Sequence, residues 1–431
     1  MKKTLAILAF AALAATTATP GELVNGPKFA LDVHGRMQWL AVGQNTDDDF
    51  RDDNRLFLFM KQARLQFEGR YDETKFDVQL AYGGENVVGS NVSLGLLDFS
   101  FDVPLPKTKV ARVKVGQFRV PYGRERLTDS GTLNFGDRSI QSLGFSWNRD
   151  VGVALHSVRG RFAGTAGIFT AGGRDVPQRY IPEKLGSPMF VARLGYNDGI
   201  DEDVYTVRDR GPRPEKREMA FYVNGLYVKD SLIGHSTVLN VKATDKSLLL
   251  NGNWNPFIAK TPLIQGKVWQ AGGDGVLRMP VGSFSVNAEV EANYAKFENN
   301  YGTISLKGGR VQVGAAKGTV NANVRYSVLY PDTKMANTYT AAGQPARNFP
   351  ITVNDKPMRE ITPSLTWNYK PNVALVADLP ILLDMIVFQE NNLGTYVATE
   401  HPDQSVYARP GAGTAERQTV KEARLLVQIT F

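Results

Sequence analysis

Strict alternation of apolar and polar residues recurs along the chain. Residues 29–39 (FALDVHGRMQW), 62–71 (QARLQFEGRY) and 284–294 (FSVNAEVEANY) each place apolar or small residues at every second position, with mostly polar residues between them. A period of two puts the two sets on opposite faces of a β-strand. The pattern therefore predicts an all-β protein whose strands have one apolar and one polar face.

The length of these segments and of their connections favours a membrane barrel over a soluble sandwich. A tilted strand needs roughly 9–11 residues to cross a bilayer, and several apolar rows begin or end in an aromatic residue. Short connections at 71–75, 103–109, 158–161, 314–318 and 369–372 alternate with long ones at about 120–148, 172–187, 230–266, 331–357 and 391–418. We therefore expect a transmembrane antiparallel β-barrel of about 16 strands, with short periplasmic turns, long external loops and an aqueous channel.

One connection departs from this scheme. Residues 198–217 (DGIDEDVYTVRDRGPRPEKR) fall where a short periplasmic turn is expected. The sequence offers no account of this length beyond an extension into the periplasm.

The chain carries the features of an exported protein. Residues 1–18 (MKKTLAILAFAALAATTA) have a basic start, an apolar run and small residues, which predicts a cleaved signal peptide; its two lysines would take the formal net charge from +7 to +5. The chain contains no cysteine, which excludes disulfides and thiol chemistry. Residues 19–431 are then predicted to form a single barrel in the outer membrane of a Gram-negative cell, in contact with lipid and lipopolysaccharide.

Two further segments support a barrel. Residues 371–388 (PNVALVADLPILLDMIVF) are the most apolar internal stretch, but Asp378, Pro380 and Asp384 argue against a spanning helix. The segment 423–431 (ARLLVQITF) alternates and ends in Phe431, as expected for a strand that closes an outer-membrane barrel.

Side chains between the apolar positions should line the lumen, and their charges nearly balance. The cations are Arg36, Arg64, Arg70, Arg112, Lys114, Arg193, Arg310, Arg325 and Arg424. The acids are Asp32, Glu68, Asp77, Asp98, Asp102, Glu289, Glu291 and Glu422. Such a wall would not by itself select strongly between anions and cations.

A local excess of positive charge lies where the fifth strand meets the third external loop. Residues 107–126 contain seven Lys and Arg against one acid, Glu125. We expect Arg112 and Lys114 on the inner row of a strand that Pro121 and Gly123 bring to an end. The following connection, residues 119–149, would then fold inward and carry the remaining candidates for an anion-selective constriction, which are Arg119, Arg124, Arg126, Arg138 and Arg149. The alternative interpretation is that loop arginines pair with nearby acids and fix the loop to the wall.

The same stretch resembles a known family, the phosphate-selective porins O and P. The resemblance is carried by VGQFRVPYGRERL (115–127) and TLNFGDRS (132–139), with support from residues 190–199, 361–373 and the closing strand. It implies a sixteen-stranded, homotrimeric porin with a basic constriction that passes phosphate or similar small anions. Because the cluster is mostly arginine and the lysine set of the selective members has no counterpart here, the resemblance supports anion preference more than phosphate specificity.

Other classes of function find no support. His156 and Ser157 are adjacent on a predicted strand, so their side chains point to opposite faces and cannot act together as base and nucleophile. The histidines show no ligand spacing, and we expect no enzyme activity, no metal and no cofactor. Export removes nucleic acid from the partners. The open alternatives are a general porin for organic solutes, without marked ion selectivity, and a structural or adhesive barrel.

Overall fold

The computed structural model describes the barrel, the third loop and several turns. The described residues are 21–46, 54–82, 94–106, 108, 110–145, 147–171, 188–200, 202–233, 264–299, 302–335, 338–339, 347–348, 357–388 and 415–431. The predicted signal peptide, residues 1–18, and most of the long external loops lie outside these ranges.

The predicted all-β barrel of sixteen strands is confirmed. Its first half comprises β2 (Phe29–Thr46), β3 (Asn54–Tyr71), β4 (Thr74–Tyr82), β5 (Leu94–Pro104), β6 (Ala111–Arg119), β7 (Arg149–Arg159), β8 (Phe162–Phe169) and β9 (Met189–Asp198). The second half comprises β10 (Glu218–Ile233), β11 (Ile264–Val281), β12 (Phe284–Asn299), β13 (Gly302–Lys317), β14 (Val320–Met335), β17 (Met358–Lys370), β18 (Val373–Asp378) with β19 (Ile381–Phe388), and β20 (Ala415–Thr430).

Several short elements accompany these strands. β18 and β19 are halves of one barrel strand, because both pair with β17 and β20 on either side of Pro380, which lacks a backbone N–H. β1 (Gly21–Asn25) pairs with the start of β2, and β15 (Thr338–Tyr339) pairs with β16 (Arg347–Asn348) outside the barrel sheet. The helices α1 (Arg124–Leu127) and α2 (Ile140–Gly144) lie in the third loop. Within the described part of the chain, no helix has the length and apolar character to cross a membrane.

The pairing of β2 with β20 closes the barrel. Their register runs from Arg36 opposite Thr430 to Thr46 opposite Val420. Gly35 and Phe431 extend it, with N–H to carbonyl distances of 2.7 and 2.9 Å. A Cβ atom on Gly35 would lie 2.1 Å from the Phe431 ring, so the aromatic ring occupies the space that the glycine leaves.

Apolar side chains face outward and polar side chains face inward. Along β17, Glu360, Thr362, Ser364 and Thr366 are buried, while the residues between them, such as Leu365, are exposed. A soluble protein would show the opposite distribution. Lipid on the outside and packed polar groups on the inside account for it.

Most periplasmic connections are two-residue turns. The pairs are Asp72–Glu73, Gly160–Arg161, Gly282–Ser283, Gly318–Thr319 and Pro371–Asn372. The first residue of the glycine-led turns has a φ of 56–63°, a left-handed conformation that a tight hairpin requires and glycine adopts without strain. Exposed aromatic residues lie beside these turns, at Tyr71, Phe162, Phe284 and Tyr369. They form one of the two aromatic belts expected at membrane interfaces.

We predict that Gly35→Ala destabilises the closing seam. The new methyl group would displace the Phe431 ring, and overpacking of this kind costs about 1–3 kcal/mol. Urea unfolding of the barrel in lipid vesicles would measure the loss. Gly43→Ala on the same strand is the matched control, because a Cβ there meets nothing closer than 3.9 Å. Equal stability of the two variants would contradict this packing.

Candidate channel constriction

The third loop lies inside the barrel. It leaves the wall at the end of β6, runs through residues 120–148 and rejoins the wall at the start of β7. Its residues Phe135, Ile140, Phe145 and Trp147 are at most 5% exposed. The strand extends through Arg119, and Arg149 already belongs to β7, so the predicted loop limits of 119–149 are one residue too wide at each end.

Wall side chains accept hydrogen bonds from the backbone of this loop. Glu125 N–H donates to Glu291, Gly136 N–H to Asp378 and Ile140 N–H to Glu360, at 2.7–2.9 Å. A buried loop must satisfy its amides somewhere, and carboxylates are strong acceptors. These acids therefore fix the course of the loop across the lumen.

Arg124 is a structural residue of this loop. Its side chain is completely buried and makes a bidentate contact with Glu202, both distances being 3.0 Å, with Glu289 at 3.3 Å. Burial alone would lower its pKa, but Glu202 and Glu289 hold the pKa well above its ordinary value. A guanidinium enclosed in this way cannot contact a passing ion.

Glu125 ties the two short helices of the loop together. Its carboxylate accepts hydrogen bonds from the backbone and hydroxyl of Ser139, which caps α2, and lies 3.2 Å from Arg325 and 3.7 Å from Arg310. Burial would raise the pKa of Glu125, but the two arginines and Ser139 lower it below its ordinary value. The single acid in the basic stretch is thus a central anchor of the loop.

Asp129 lies among arginines on the opposite side of the loop. It accepts a hydrogen bond from Arg36 at 2.8 Å and lies 3.6 Å from Arg119. Burial would raise its pKa, but Arg36, Arg119 and Arg64 hold the pKa well below the ordinary value. The side chains of Asp129, Arg36 and Arg119 remain 29%, 11% and 16% exposed, in contrast to the enclosed Arg124.

Neighbouring arginines extend this group. Arg36 is directly opposite Arg64 in the β2–β3 ladder, and Arg119 is opposite Arg149 in the β6–β7 ladder. Arg138 donates to the carbonyl oxygens of Glu125 and Thr128, beside Asp129. The arginine cluster is defined here as Arg36, Arg64, Arg119, Arg138 and Arg149. Asp129 contacts Arg36 and Arg119, and Asp98 binds Arg149 at 2.8 Å.

The other predicted constriction residues have different surroundings. Arg112 binds Asp102 and the carbonyl of Glu73, near the turn between β3 and β4. Lys114 lies 5.0 Å from the ring centre of Tyr205, a cation–π contact. Arg126 is partly exposed on α1. The structure therefore brings Arg119, Arg138 and Arg149 together, whereas Arg112 lies near the β3–β4 turn and Arg124 is enclosed by Glu202 and Glu289.

Charges on the far wall are paired with one another and with the loop. Arg193 binds Asp274, Arg310 binds Glu289 and Arg325 binds Glu360, and these arginines are at most 1% exposed. The third loop packs against this side of the barrel. The partly exposed Arg36 and Arg119, with Asp129, lie on the side formed by β2 to β7.

Residues 202–210 of the long connection between β9 and β10 also lie inside the barrel, whereas residues 211–217 are mostly exposed. Instead of extending into the periplasm, residues 202–210 pack under the third loop, with Val204, Tyr205 and Val207 at most 5% exposed. Val207 and Thr128 form a parallel β-bridge. The composition of residues 198–217 did not predict this arrangement. In retrospect, the apolar residues among its charges are a signal that this connection is buried.

Sequence reasoning missed other parts of the site. Arg36 and Arg64 were predicted to face the lumen, but not to join the loop arginines. Glu360 and Asp378 were not among the predicted lumen acids, although alternation along β17 and β18 places them there. Among the residues described, no group of three or more His, Asp or Glu side chains is arranged to hold a metal ion.

Comparisons with known proteins agree with this architecture. Residues 31–197 match the model of the family described as phosphate-selective porin O and P, which includes the 115–139 stretch on which the sequence resemblance depended. No curated protein matches the sequence.

The similar solved structures are outer-membrane proteins. OmpT of Vibrio cholerae, expressed in the outer membrane, has a TM-score of 0.51 at 9% identity over 95% of this chain and 99% of that one. The trimer form of in-vitro folded OmpT has a TM-score of 0.51 at 11% identity, over 94% and 100%. Salmonella typhi OmpF in complex with daunomycin has a TM-score of 0.49 at 12% identity, over 95% and 100%. At these identities, the likeness to OmpT shows the fold alone.

The family match and the barrel together confirm the resemblance found in the sequence, and they describe a channel rather than an enzyme. Residues 31–197 carry the sequence signature of the phosphate-selective porins O and P on a barrel with the fold of outer-membrane proteins, and together these findings support an outer-membrane diffusion porin.

Proposed function

We propose that this porin prefers anions and passes phosphate or similar small oxyanions through a constriction lined by the arginine cluster. The observation that carries the proposal is the group of five arginines gathered around Asp129 and Asp98, at the edge of the third loop that faces β2 to β7. Guanidinium groups in a narrow, partly desolvated passage raise the local concentration of anions, and their planar fork suits oxyanions.

Several further features belong to the same proposal. A signal peptide at residues 1–18 delivers the chain to the outer membrane, where lipid and lipopolysaccharide surround it. The chain assembles as a homotrimer, as the family resemblance implies and as the trimer form of OmpT illustrates for that protein. Of the seven residues predicted from sequence, the partly exposed Arg119 and Arg138 are proposed to act on ions directly, and the buried Arg149 through the field of its charge.

The second candidate is a general porin whose arginines only fix the loop. Arg124 favours it, because its side chain is fully enclosed by Glu202 and Glu289. Arg119 and Arg138 also donate to loop carbonyls, at Leu127, Glu125 and Thr128. In this case the cluster would have no influence on which ions pass.

The proposed preference predicts the sign of the reversal potential in a planar bilayer. Under a gradient of potassium chloride, we expect a reversal potential whose sign shows that chloride permeates better than potassium. We also expect millimolar phosphate to reduce the chloride current, because phosphate would bind the arginines more tightly than chloride does. A cation-selective potential would overturn anion preference, and an unchanged chloride current would remove phosphate from the proposal.

Neutralising the cluster distinguishes the two candidates. We predict that Arg36→Gln lowers the anion-to-cation permeability ratio by roughly twofold or more, since it removes one positive charge and leaves Asp129 less compensated in a narrow passage. Arg70→Gln is the matched control, because Arg70 faces the lumen near the periplasmic turns and binds the carbonyls of Gly26 and Pro27. If both variants keep the wild-type ratio, the general porin is the better account.

A further inference from the structure

The connection between β9 and β10 is far longer than the barrel requires. Asp198 pairs with Met219, so residues 199–218 lie between the last paired positions. Five other periplasmic connections in the barrel need only two residues. Its length must therefore have a purpose other than joining two strands.

The lumen segment, defined here as residues 202–210, pairs with the third loop along the backbone. Val207 N–H donates to the Leu127 carbonyl at 3.3 Å, and Asp129 N–H donates to the Val207 carbonyl at 2.9 Å. Arg210 N–H donates to the Thr132 carbonyl at 3.0 Å. Consecutive bonds of this kind fix the loop in position and orientation as a strand pairing would.

Side chains reinforce this pairing at both ends. Glu202 holds Arg124 through two hydrogen bonds, and Arg210 donates to the Gly131 carbonyl at 2.7 Å. Tyr205 anchors the segment to the barrel wall through a 2.8 Å hydrogen bond to Thr165. The segment is thus fixed to the wall on one side and to the loop on the other.

The residues of the third loop that bind the lumen segment also contact the arginine cluster. Leu127 accepts hydrogen bonds from both Val207 and Arg119 at its carbonyl oxygen. Asp129, whose amide binds Val207, presents its carboxylate to Arg36 and Arg119. Movement of the segment would therefore displace the carboxylate that these arginines surround.

We propose that the lumen segment is a positioning element of the channel, which sets the width and ion preference of the constriction by holding residues 127–132 of the third loop in place. The inference uses the proposed ion preference as one readout, but the conductance change it predicts stands without that preference.

Excision of the connection tests this role. Replacing residues 199–218 by Asn-Gly keeps Asp198 opposite Met219 and gives this hairpin the turn length that its neighbours have. We expect single-channel conductance to rise roughly twofold, since conductance follows the open cross-section, and the reversal potential to move toward zero. Replacing Gly318–Thr319 by Asn-Gly is the control for turn chemistry, because that turn lies between β13 and β14.

Barrel integrity is verified by heat-dependent migration on gels before conductance is measured. A folded excision variant with wild-type conductance and reversal potential would overturn the proposal. The sign of the wild-type potential tests the proposed function separately, because only the difference between variant and wild type concerns the segment.

A second variant keeps the test decisive if the excised chain does not fold. Glu202→Gln combined with Arg210→Met weakens both ends of the pairing without shortening the chain. We expect a higher conductance or a reversal potential closer to zero than in wild type. Asp198→Asn is the matched control, because Asp198 pairs with Arg161 beside the turn rather than with the loop. Wild-type values for both quantities in the double variant would count against the proposal.

Asp209 is a buried titratable group that joins the lumen segment to the third loop and the wall. It is buried and accepts hydrogen bonds from Thr128, Asn134 and Gln312. The charged groups around it are Glu289, Arg310, Arg278, Arg124, Glu125 and its neighbour Arg210. Burial and the charge of Glu289 raise the pKa of Asp209 to about 6.

A carboxyl whose pKa is raised in the folded state favours folding most below the pKa of the unfolded chain, about 4 for aspartate, and loses that advantage as pH rises through about 6. We predict that Asp209→Asn removes this loss, because an amide oxygen can accept from Asn134 and Gln312 while its NH2 group donates to the Thr128 hydroxyl. Urea midpoints in lipid vesicles at pH 5 and pH 8 would check it. The urea midpoint of the variant minus that of wild type should be larger at pH 8 than at pH 5. An identical pH dependence of the two midpoints would contradict the prediction.

Discussion

The pairing of buried charges inside the barrel is the constraint on which the rest of this structure depends. Because lipid requires apolar side chains on the outside, the polar rows of sixteen strands face inward. A buried ionised group is tolerated only with a partner, and removal of one partner typically costs 3–5 kcal/mol. Arg193, Arg310 and Arg325 meet this condition through acids on nearby strands, and the third loop completes the arrangement with Glu125.

The same constraint explains why the loop crosses the lumen instead of lying on the surface. Its amides find acceptors in Glu291, Asp378 and Glu360, and its apolar residues pack with the lumen segment. The third loop is thus held by the far wall of the barrel and by the lumen segment. Its remaining edge, which carries Asp129, faces β2 to β7 and is the part that stays partly exposed.

The barrel could be predicted from the sequence because its signals are local. Alternation along 29–39 or 284–294 is visible in a single segment, and turn lengths separate periplasmic from external connections. The inward course of the third loop came from its place after the fifth strand and from family resemblance. The roles of individual arginines could not be predicted, because Arg124 meets Glu289 across 165 positions of sequence and only barrel closure brings them together. For the same reason, the charges of residues 198–217 did not reveal a segment packed inside the lumen.

The acids that hold the third loop also change the electrical character of the lumen. The wall residues predicted from the sequence are nine cations and eight acids, which would give little field of either sign. However, Glu291 accepts a loop amide, and Glu289 is shared between Arg124 and Arg310, so neither presents a free negative charge to the solution. The electric field that a passing ion meets therefore depends on which carboxylates are buried against the loop as much as on which arginines remain exposed to water. A porin of this design could change its selectivity by altering how its loop is attached, with every arginine kept in place.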